Sequence, residues 1–376
     1  MNLSDLPTPS LLLDRARVER NTAFVTERLR RFGVALRPHM KTAKSIDVAR
    51  LATKGNFGGI AVSTLREAEY FADHGVKDIQ YAVCITPAKL DQVAKLMSKG
   101  VSVTVLTDDV EAARAIGERG AALGTRFEVL IEVDCGEHRS GVMPDSRALL
   151  DIGGVLSSSQ GSRLRGVLTH AGHSYACRTL AEAALVAEDE RKAGVAAAER
   201  LRAAGLAAPV VTMGSTPTAL HGERYNGVSE VRCGVYMFGD LFQAEIGSCG
   251  RGDIAVSVLA SVIGHRRGDN RILIDAGALA LSKDRSTEAT SHDAGFGAVV
   301  DQHGEASLGP LVVQRVNQEH GIVTSSAPIP FDRLPVGARV RVLPNHACLT
   351  AAAYDHYNVV DGGETVIARW NRCNGW

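Results

Sequence analysis

Eight short apolar or β-branched runs, separated by helical patterns, fill the first two thirds of the chain, and this alternation restricts the fold more than any other feature. They occupy residues 34–37, 59–62, 78–82, 101–106, 127–133, 164–169, 209–213 and 228–232. Parallel strands need a crossover of a dozen or more residues between them, usually a helix, and the spacing of these runs leaves room for one each time. The intervening segments are rich in Ala, Leu, Glu and Arg; residues 181–204, for example, keep small and apolar side chains on one helical face. Eight strand–helix units predict a (β/α)8 TIM barrel, α/β in class, with its chemistry at the C-terminal ends of the strands.

After about residue 245 helical periodicity nearly vanishes, and β-type runs appear at residues 254–263, 271–274, 296–300, 321–324, 339–343 and 365–370. Turn sequences such as Gly268-Asp269-Asn270 and Asp361-Gly362-Gly363 separate them, which predicts a second, mostly antiparallel β-domain. The expected division is a barrel over residues 14–245 and a β-domain over 246–376. Residues 1–13 are a candidate addition to the latter, since Leu11-Leu12-Leu13 suits a strand in either domain.

Composition removes several classes of function. Lys and Arg total 42, as do Asp and Glu, so no net field exists to hold a nucleic acid. With 45% apolar and 22% charged residues the chain has the balance of a globular protein rather than a disordered one. Its longest apolar runs fall far short of the roughly 20 residues a membrane helix needs. Met1 to Pro7 lacks the basic and apolar regions of a secretory signal, and the seven cysteines form no CxxC pairs. Reduced thiols and a cytoplasmic location are therefore expected.

The strand ends carry the chemistry. Arg37-Pro38-His39-Met40-Lys41 follows the first run and sets a lysine at the predicted barrel mouth, with an arginine and a histidine nearby. Neighbouring positive charge or desolvation favours the free amine, so Lys41 is the candidate Schiff-base former. After the seventh run, Gly214-Ser215-Thr216 offers N–H groups and hydroxyls in a small-residue turn able to cradle phosphate. After the eighth, Gly234 and Tyr236 are placed to complete that site, which matches the usual phosphate position in such barrels. The fifth run leads into Asp134 to Gly141, where Arg139 is suited to hold an oxyanion; the sixth leads into Thr169-His170-Ala171-Gly172-His173-Ser174-Tyr175, whose rings suit a flat heterocycle. Taken singly, each of these motifs also suits a plain structural role.

Together they resemble the alanine-racemase-type barrel of pyridoxal-phosphate enzymes, in the branch that contains D-serine dehydratase, D-threo-3-hydroxyaspartate dehydratase and D-threonine aldolase. The resemblance covers nearly the whole chain. It implies that Lys41 carries pyridoxal 5'-phosphate, that Arg139 lies near the cofactor's ring hydroxyl, and that Gly214, Ser215, Thr216, Gly234 and Tyr236 hold its phosphate, with His170 and Tyr175 as further cofactor contacts.

In the β-domain, Pro344-Asn345-His346-Ala347-Cys348 puts an imidazole and a thiol two residues apart, on one side of an extended strand. Both suit zinc, though another divalent ion is open. In the resembled branch this pair matches the metal ligands of the dehydratases, whereas the aldolases usually have aspartate at the third position; Cys348 therefore favours elimination. The implied reaction removes water and ammonia from a D-3-hydroxy amino acid to give a 2-oxo acid, and the implied assembly is a homodimer. The alternatives are aldol cleavage to glycine and an aldehyde, racemisation with a tyrosine such as Tyr354 or Tyr357 as second base, and a non-catalytic cofactor carrier.

Overall fold

Parallel strands buried on both faces read as continuous apolar runs, and the eight runs pair accordingly in the computed structural model, which describes residues Met1–Trp376. The strands are Ala35–Pro38, Ile60–Val62, Asp78–Cys84, Ser102–Thr107, Phe127–Val133, Ser162–Thr169, Val210–Met213 and Glu230–Cys233. From the second onward each lies beside its neighbour in sequence, and the eighth returns to pair with the first, Leu36 opposite Val231. The gap between first and second is bridged where the Met40 N–H donates to the Ala61 carbonyl at 2.8 Å. This is a (β/α)8 barrel.

Thr64, Asp109, Ser146 and Thr179 start the helices at Leu65, Val110, Arg147 and Leu180, each side chain accepting the N–H three residues on. An unmet N–H at a helix start costs about 1 kcal/mol, so each cap helps decide where the chain turns from loop to helix.

Polar side chains fill part of the barrel's interior. Arg37, buried, bonds Glu230 at 2.9 Å and Asp78 at 3.0 Å, and Gln80 donates to Glu230 at 3.1 Å. Removing one partner of such a pair costs about 3–5 kcal/mol because the other charge stays buried. Arg37 is therefore neutralised in the interior, and the cations whose charges act on His39 are Lys41 and Arg232.

The chain divides into residues 23–234 with 373–376, the barrel unit, and residues 1–22 with 235–372. The second unit is a nine-stranded sheet in the order Arg271–Ile274, Gly321–Ser325, Leu311–Val316, Gly297–Asp301, Arg339–Pro344, Val256–Arg266, Ser10–Asp14, His356–Val360, Ala368–Asn371. Pairing is antiparallel except between Ser10–Asp14 and His356–Val360, and Val256–Arg266 pairs again with Arg271–Ile274, which curls the sheet toward a barrel. The Leu11–Leu13 strand thus belongs here, with Leu12 opposite Ser257 on one side and Asn358 on the other. The division by contacts falls at 22/23, inside helix Arg15–Arg31, and at 234/235, directly after strand Glu230–Cys233, beside the expected 14 and 245. Residues 373–376 join the barrel unit, the Cys373 N–H donating to the Lys44 carbonyl at 2.7 Å. No helix is long and apolar enough to cross a membrane.

Candidate active site

Two lysines follow the first barrel strand, and the fold separates their roles. Lys44 reaches the fully buried Glu67 carboxylate at 2.9 Å and is a structural ion pair. Lys41 is exposed and makes no ion pair, which leaves its amine available for chemistry. His39 is buried, and its Nδ1 accepts the Lys41 backbone N–H at 3.4 Å. Burial, together with the charges of Lys41 and Arg232, holds this imidazole well below its usual range, so it is neutral.

His170 is a second neutral ring. Burial and the same two cations, with Arg139, bring it down to about 3, against the pull of the Gly214 carbonyl that its Nδ1–H meets at 2.8 Å. The ring is thus a fixed, uncharged plate beside three cations. Arg232, fully enclosed, donates to Thr212 Oγ1 at 2.9 Å and to the Thr169 carbonyl, which joins the ends of the sixth, seventh and eighth strands.

Those ends form a cradle. Gly214 has φ +133° and a Cβ there would lie 2.3 Å from the Arg232 carbonyl; at Gly234 a Cβ would lie 2.7 Å from the His39 carbonyl. Only glycine lets the three strand ends close to this degree. Thr216 Oγ1 is buried and meets no partner, and the Thr216 N–H points to the Tyr175 hydroxyl at 3.4 Å. An orphaned buried hydroxyl carries a desolvation cost of about 1–3 kcal/mol, which a phosphate acceptor would relieve. Ser215 differs: its Oγ accepts the Thr218 N–H at 3.2 Å and bonds Ser174 Oγ at 2.7 Å, so it braces the turn.

A fully buried carboxylate ties this cradle to the sixth strand. Glu190 Oε1 accepts from Gly214 N at 2.8 Å, Ala171 N at 3.1 Å and Thr169 Oγ1 at 3.2 Å. It sits in helix Leu180–Ala203 on the same face as Ala183, Ala187, Gly194, Ala197 and Ala198. An acid in the middle of a small-residue face is the one signal in the sequence that marks it.

Arg139 stands in the loop after the fifth strand. Asp134 shapes that loop, accepting from Gly136 N at 2.8 Å, His138 N at 3.1 Å and His138 Nδ1 at 2.7 Å. Arg139 pairs with Glu137 at 3.3 Å, an exposed contact weak enough to exchange for a ligand. Nearby, Cys84, Asp108 and Glu132 bring ligand-type atoms within 4.8 Å of one another, but the Cys84 thiol already donates to Glu132 and Asp108 Oδ2 accepts the Gly141 N–H. Tyr236 belongs to the other unit, buried in the short turn Val235–Met237.

His346 and Cys348, in the second unit, do not lie on the extended strand expected: strand Arg339–Pro344 ends before them, His346 caps the helix Ala347–Ala352 and Cys348 stands in its first turn. The helical backbone rather than strand alternation therefore sets their spacing. The His346 ring bonds the Cys348 side chain, and its Nδ1 meets Asp284 Oδ2 at 2.5 Å. Asp240, fully buried, accepts the Ala347 N–H at 3.0 Å, and Asn345 holds Thr287 Oγ1 at 2.6 Å and the Gly295 carbonyl at 2.7 Å. Burial opposes charge on His346, yet the bonds to Asp284 and Cys348 and the charge of Asp240 push it up to about 11. The donor set, imidazole and thiol backed by two carboxylates, fits a divalent ion of zinc's softness.

Comparison with known proteins matches this arrangement to a family. The model described as "Alanine racemase, N-terminal domain" matches residues 13–241, and that described as "Putative serine dehydratase domain" matches residues 255–360. The chain is 45% identical to D-threo-3-hydroxyaspartate dehydratase of Delftia sp. (strain HT23), over 100% of this chain and 99% of that protein. It is 30% identical to D-serine dehydratase of Dictyostelium discoideum (100% and 98% covered) and 27% identical to 3-hydroxy-D-aspartate aldolase of Paracoccus denitrificans (97% and 91%). The solved Delftia structure superposes with a TM-score of 0.96 over 100% of both chains. Other structures of that dehydratase are a histidine-to-alanine variant and a cysteine-to-alanine variant in the metal-free form, the two positions lying two residues apart. With both of its family models matched in order along one chain, this protein belongs to the alanine-racemase family, in the branch that carries the serine dehydratase domain.

Proposed function

We propose that this chain is a pyridoxal-phosphate-dependent dehydratase that converts a D-3-hydroxy amino acid into a 2-oxo acid and ammonia, with a divalent ion, zinc by donor chemistry, at His346 and Cys348. One observation carries the proposal: the His346-Ala347-Cys348 turn, braced by Asp284 and Asp240, has the same two-residue spacing as the histidine and cysteine replaced in the solved variants of D-threo-3-hydroxyaspartate dehydratase, the cysteine variant being described in a metal-free form. The far higher identity to that protein than to the aldolase supports D-threo-3-hydroxyaspartate as the first substrate to try, ahead of D-serine.

The residues of the barrel fit the cofactor. Lys41 is the free amine to which it would attach; Thr216 offers an unpartnered hydroxyl and a backbone donor to a phosphate, with Tyr175 beside them; Gly214 and Gly234 allow the close approach. Bound there, the cofactor supplies an electron sink that makes an amino acid's Cα proton removable. Lys41 would be the chain's own base for that Cα proton. The neutral His170 and His39 rings compete for no proton at neutral pH, and Arg139 is free to leave Glu137 for the ring hydroxyl. An ion held by His346 and Cys348 would supply Lewis acidity to a β-hydroxyl, a poor leaving group by itself. The barrel portion is in this reading the cofactor domain and the β-rich portion the metal-carrying one, in a homodimer.

Racemisation finds less support. Tyr354 donates its hydroxyl to the Ala280 carbonyl at 3.0 Å and Tyr357 is fully buried. Arg285 is held by Asp293 and Glu288 and so offers no unpaired cation to a second substrate carboxylate. Product analysis decides between the lyase reactions: with D-threo-3-hydroxyaspartate, D-serine and D-threonine in turn, ammonia and a 2-oxo acid are expected, whereas glycine with glyoxylate or an aldehyde would establish aldol cleavage instead.

A further inference from the structure

The geometry points to Asp284 as the positioning residue of the metal centre, a carboxylate that fixes the tautomer and orientation of His346 so that Nε2 is the nitrogen presented to the ion. The inference rests on the metal reading above. An imidazole can offer an ion either nitrogen, and the choice is set by what the other one binds. Here Nδ1 is committed to Asp284 Oδ2 at 2.5 Å, across a sequence separation of 62 residues.

Asp284 is itself held in place. Its Oδ1 accepts the Ser286 hydroxyl at 2.8 Å and its N–H donates to Ser282 Oγ at 3.2 Å. The segment that carries it is anchored to the His346 turn, with the Thr287 N–H donating to Asn345 Oδ1 at 3.2 Å and the Asn345 amide returning to Thr287 Oγ1 at 2.6 Å. Asp284 and His346 are therefore tied to one another both directly and through the segments that carry them. Asp240 secures the other side through the Ala347 N–H, midway between the two ligands. One carboxylate aims the imidazole and the other fixes the backbone on which both ligands ride. With Nδ1 donating to an anion, Nε2 is the more basic donor toward a cation, and loss of such a partner commonly weakens metal binding about 10- to 100-fold.

The test is the affinity of cofactor-loaded, metal-stripped protein for Zn2+, read by competition with a chromogenic chelator, for wild type, Asp284→Asn, Asp284→Ala, Ser286→Ala, His346→Ala and Cys348→Ala. Asp284→Ala is expected to weaken Zn2+ binding about 10- to 100-fold. Asp284→Asn keeps an acceptor for Nδ1–H without the charge and should lose less. Ser286→Ala removes a bond of the same carboxylate without touching His346, so it should bind Zn2+ nearly as wild type does and serves as the control for local disorder. Loading with Co2+ adds a spectroscopic readout: at saturating metal, Asp284→Asn should keep the wild-type thiolate-to-cobalt band and ligand-field pattern. Wild-type Zn2+ affinity in Asp284→Ala, beside loss of metal in His346→Ala, would overturn this inference alone. A changed cobalt ligand field in Asp284→Asn would overturn it too, by making Asp284 a ligand. Undiminished Zn2+ binding in both His346→Ala and Cys348→Ala would overturn the metal reading beneath it.

Discussion

The two candidate centres are built in opposite ways. The barrel site gathers Lys41, Arg139, His170, Gly214 and Arg232 from strand ends far apart in sequence, and holds them through backbone closure and one buried carboxylate, Glu190. The proposed metal turn takes both candidate ligands from three consecutive residues, which two carboxylates, Asp284 and Asp240, brace. A site assembled from many strand ends tolerates the loss of a peripheral member. A site of two ligands does not.

The largest expected effect separates the two lysines. Lys41→Ala should lower turnover by about 10³-fold or more, since a positioned base alone is commonly worth about 10²–10⁴-fold. Lys44→Ala should leave the chemistry in place but strand the buried Glu67, costing about 3–5 kcal/mol of stability in denaturant unfolding. Equal loss of turnover in both, at equal stability, would break the distinction.

Next comes the metal turn. His346→Ala and Cys348→Ala should each lose the bound ion while retaining the cofactor's visible absorption, measured together on one sample by metal analysis and spectroscopy. Loss of the cofactor along with the metal would mean that the two centres are not separable.

A smaller effect is expected at Glu190. Its carboxylate gathers donors from two loops, and burial pushes it up while the Gly214 N–H, Thr218, Arg232 and Thr169 hold it down. Glu190→Gln should weaken pyridoxal-phosphate binding by about 1–3 kcal/mol, the cost of disturbing buried donors, and weaken binding of phosphate-free pyridoxal much less. Equal losses for both would place the effect outside the phosphate cradle.

The smallest concerns Asp134. Burial raises it, but the N–H groups of Gly136 and His138 and the His138 ring outweigh this and hold it below its ordinary value. A carboxyl depressed in the folded state contributes stability that is present above the ordinary carboxylate range and is lost as pH falls toward the folded value. The gap in Tm between wild type and Asp134→Asn should therefore narrow as pH falls through and below the ordinary carboxylate range. A gap that stays constant would assign Asp134 no such role.

The barrel is legible in sequence because its strands are short continuous apolar runs; Phe127–Val133 is read to the residue. The sheet of the second unit is less so. Leu311–Val316 shifts register between Val313 and Arg315, which spoils its alternation, and His356–Val360 pairs in parallel with a strand at the far end of the chain. At the sites, the ligands and the lysine stand in recognisable strings, but their supports do not. Asp284 lies in Ser282-Lys283-Asp284-Arg285, a run like any charged loop, and only the fold brings it to His346. Ser215 shows the converse, a hydroxyl in the right motif that the fold uses to brace its own turn.

The most direct test of the two-centre account is stepwise removal of metal from the cofactor-loaded protein with D-threo-3-hydroxyaspartate as substrate, following 2-oxo acid formation, metal content and cofactor absorption together. The account predicts that product formation falls in proportion to metal content, returns on adding Zn2+, and does so while the cofactor stays bound. Undiminished 2-oxo acid formation by fully stripped protein would contradict it.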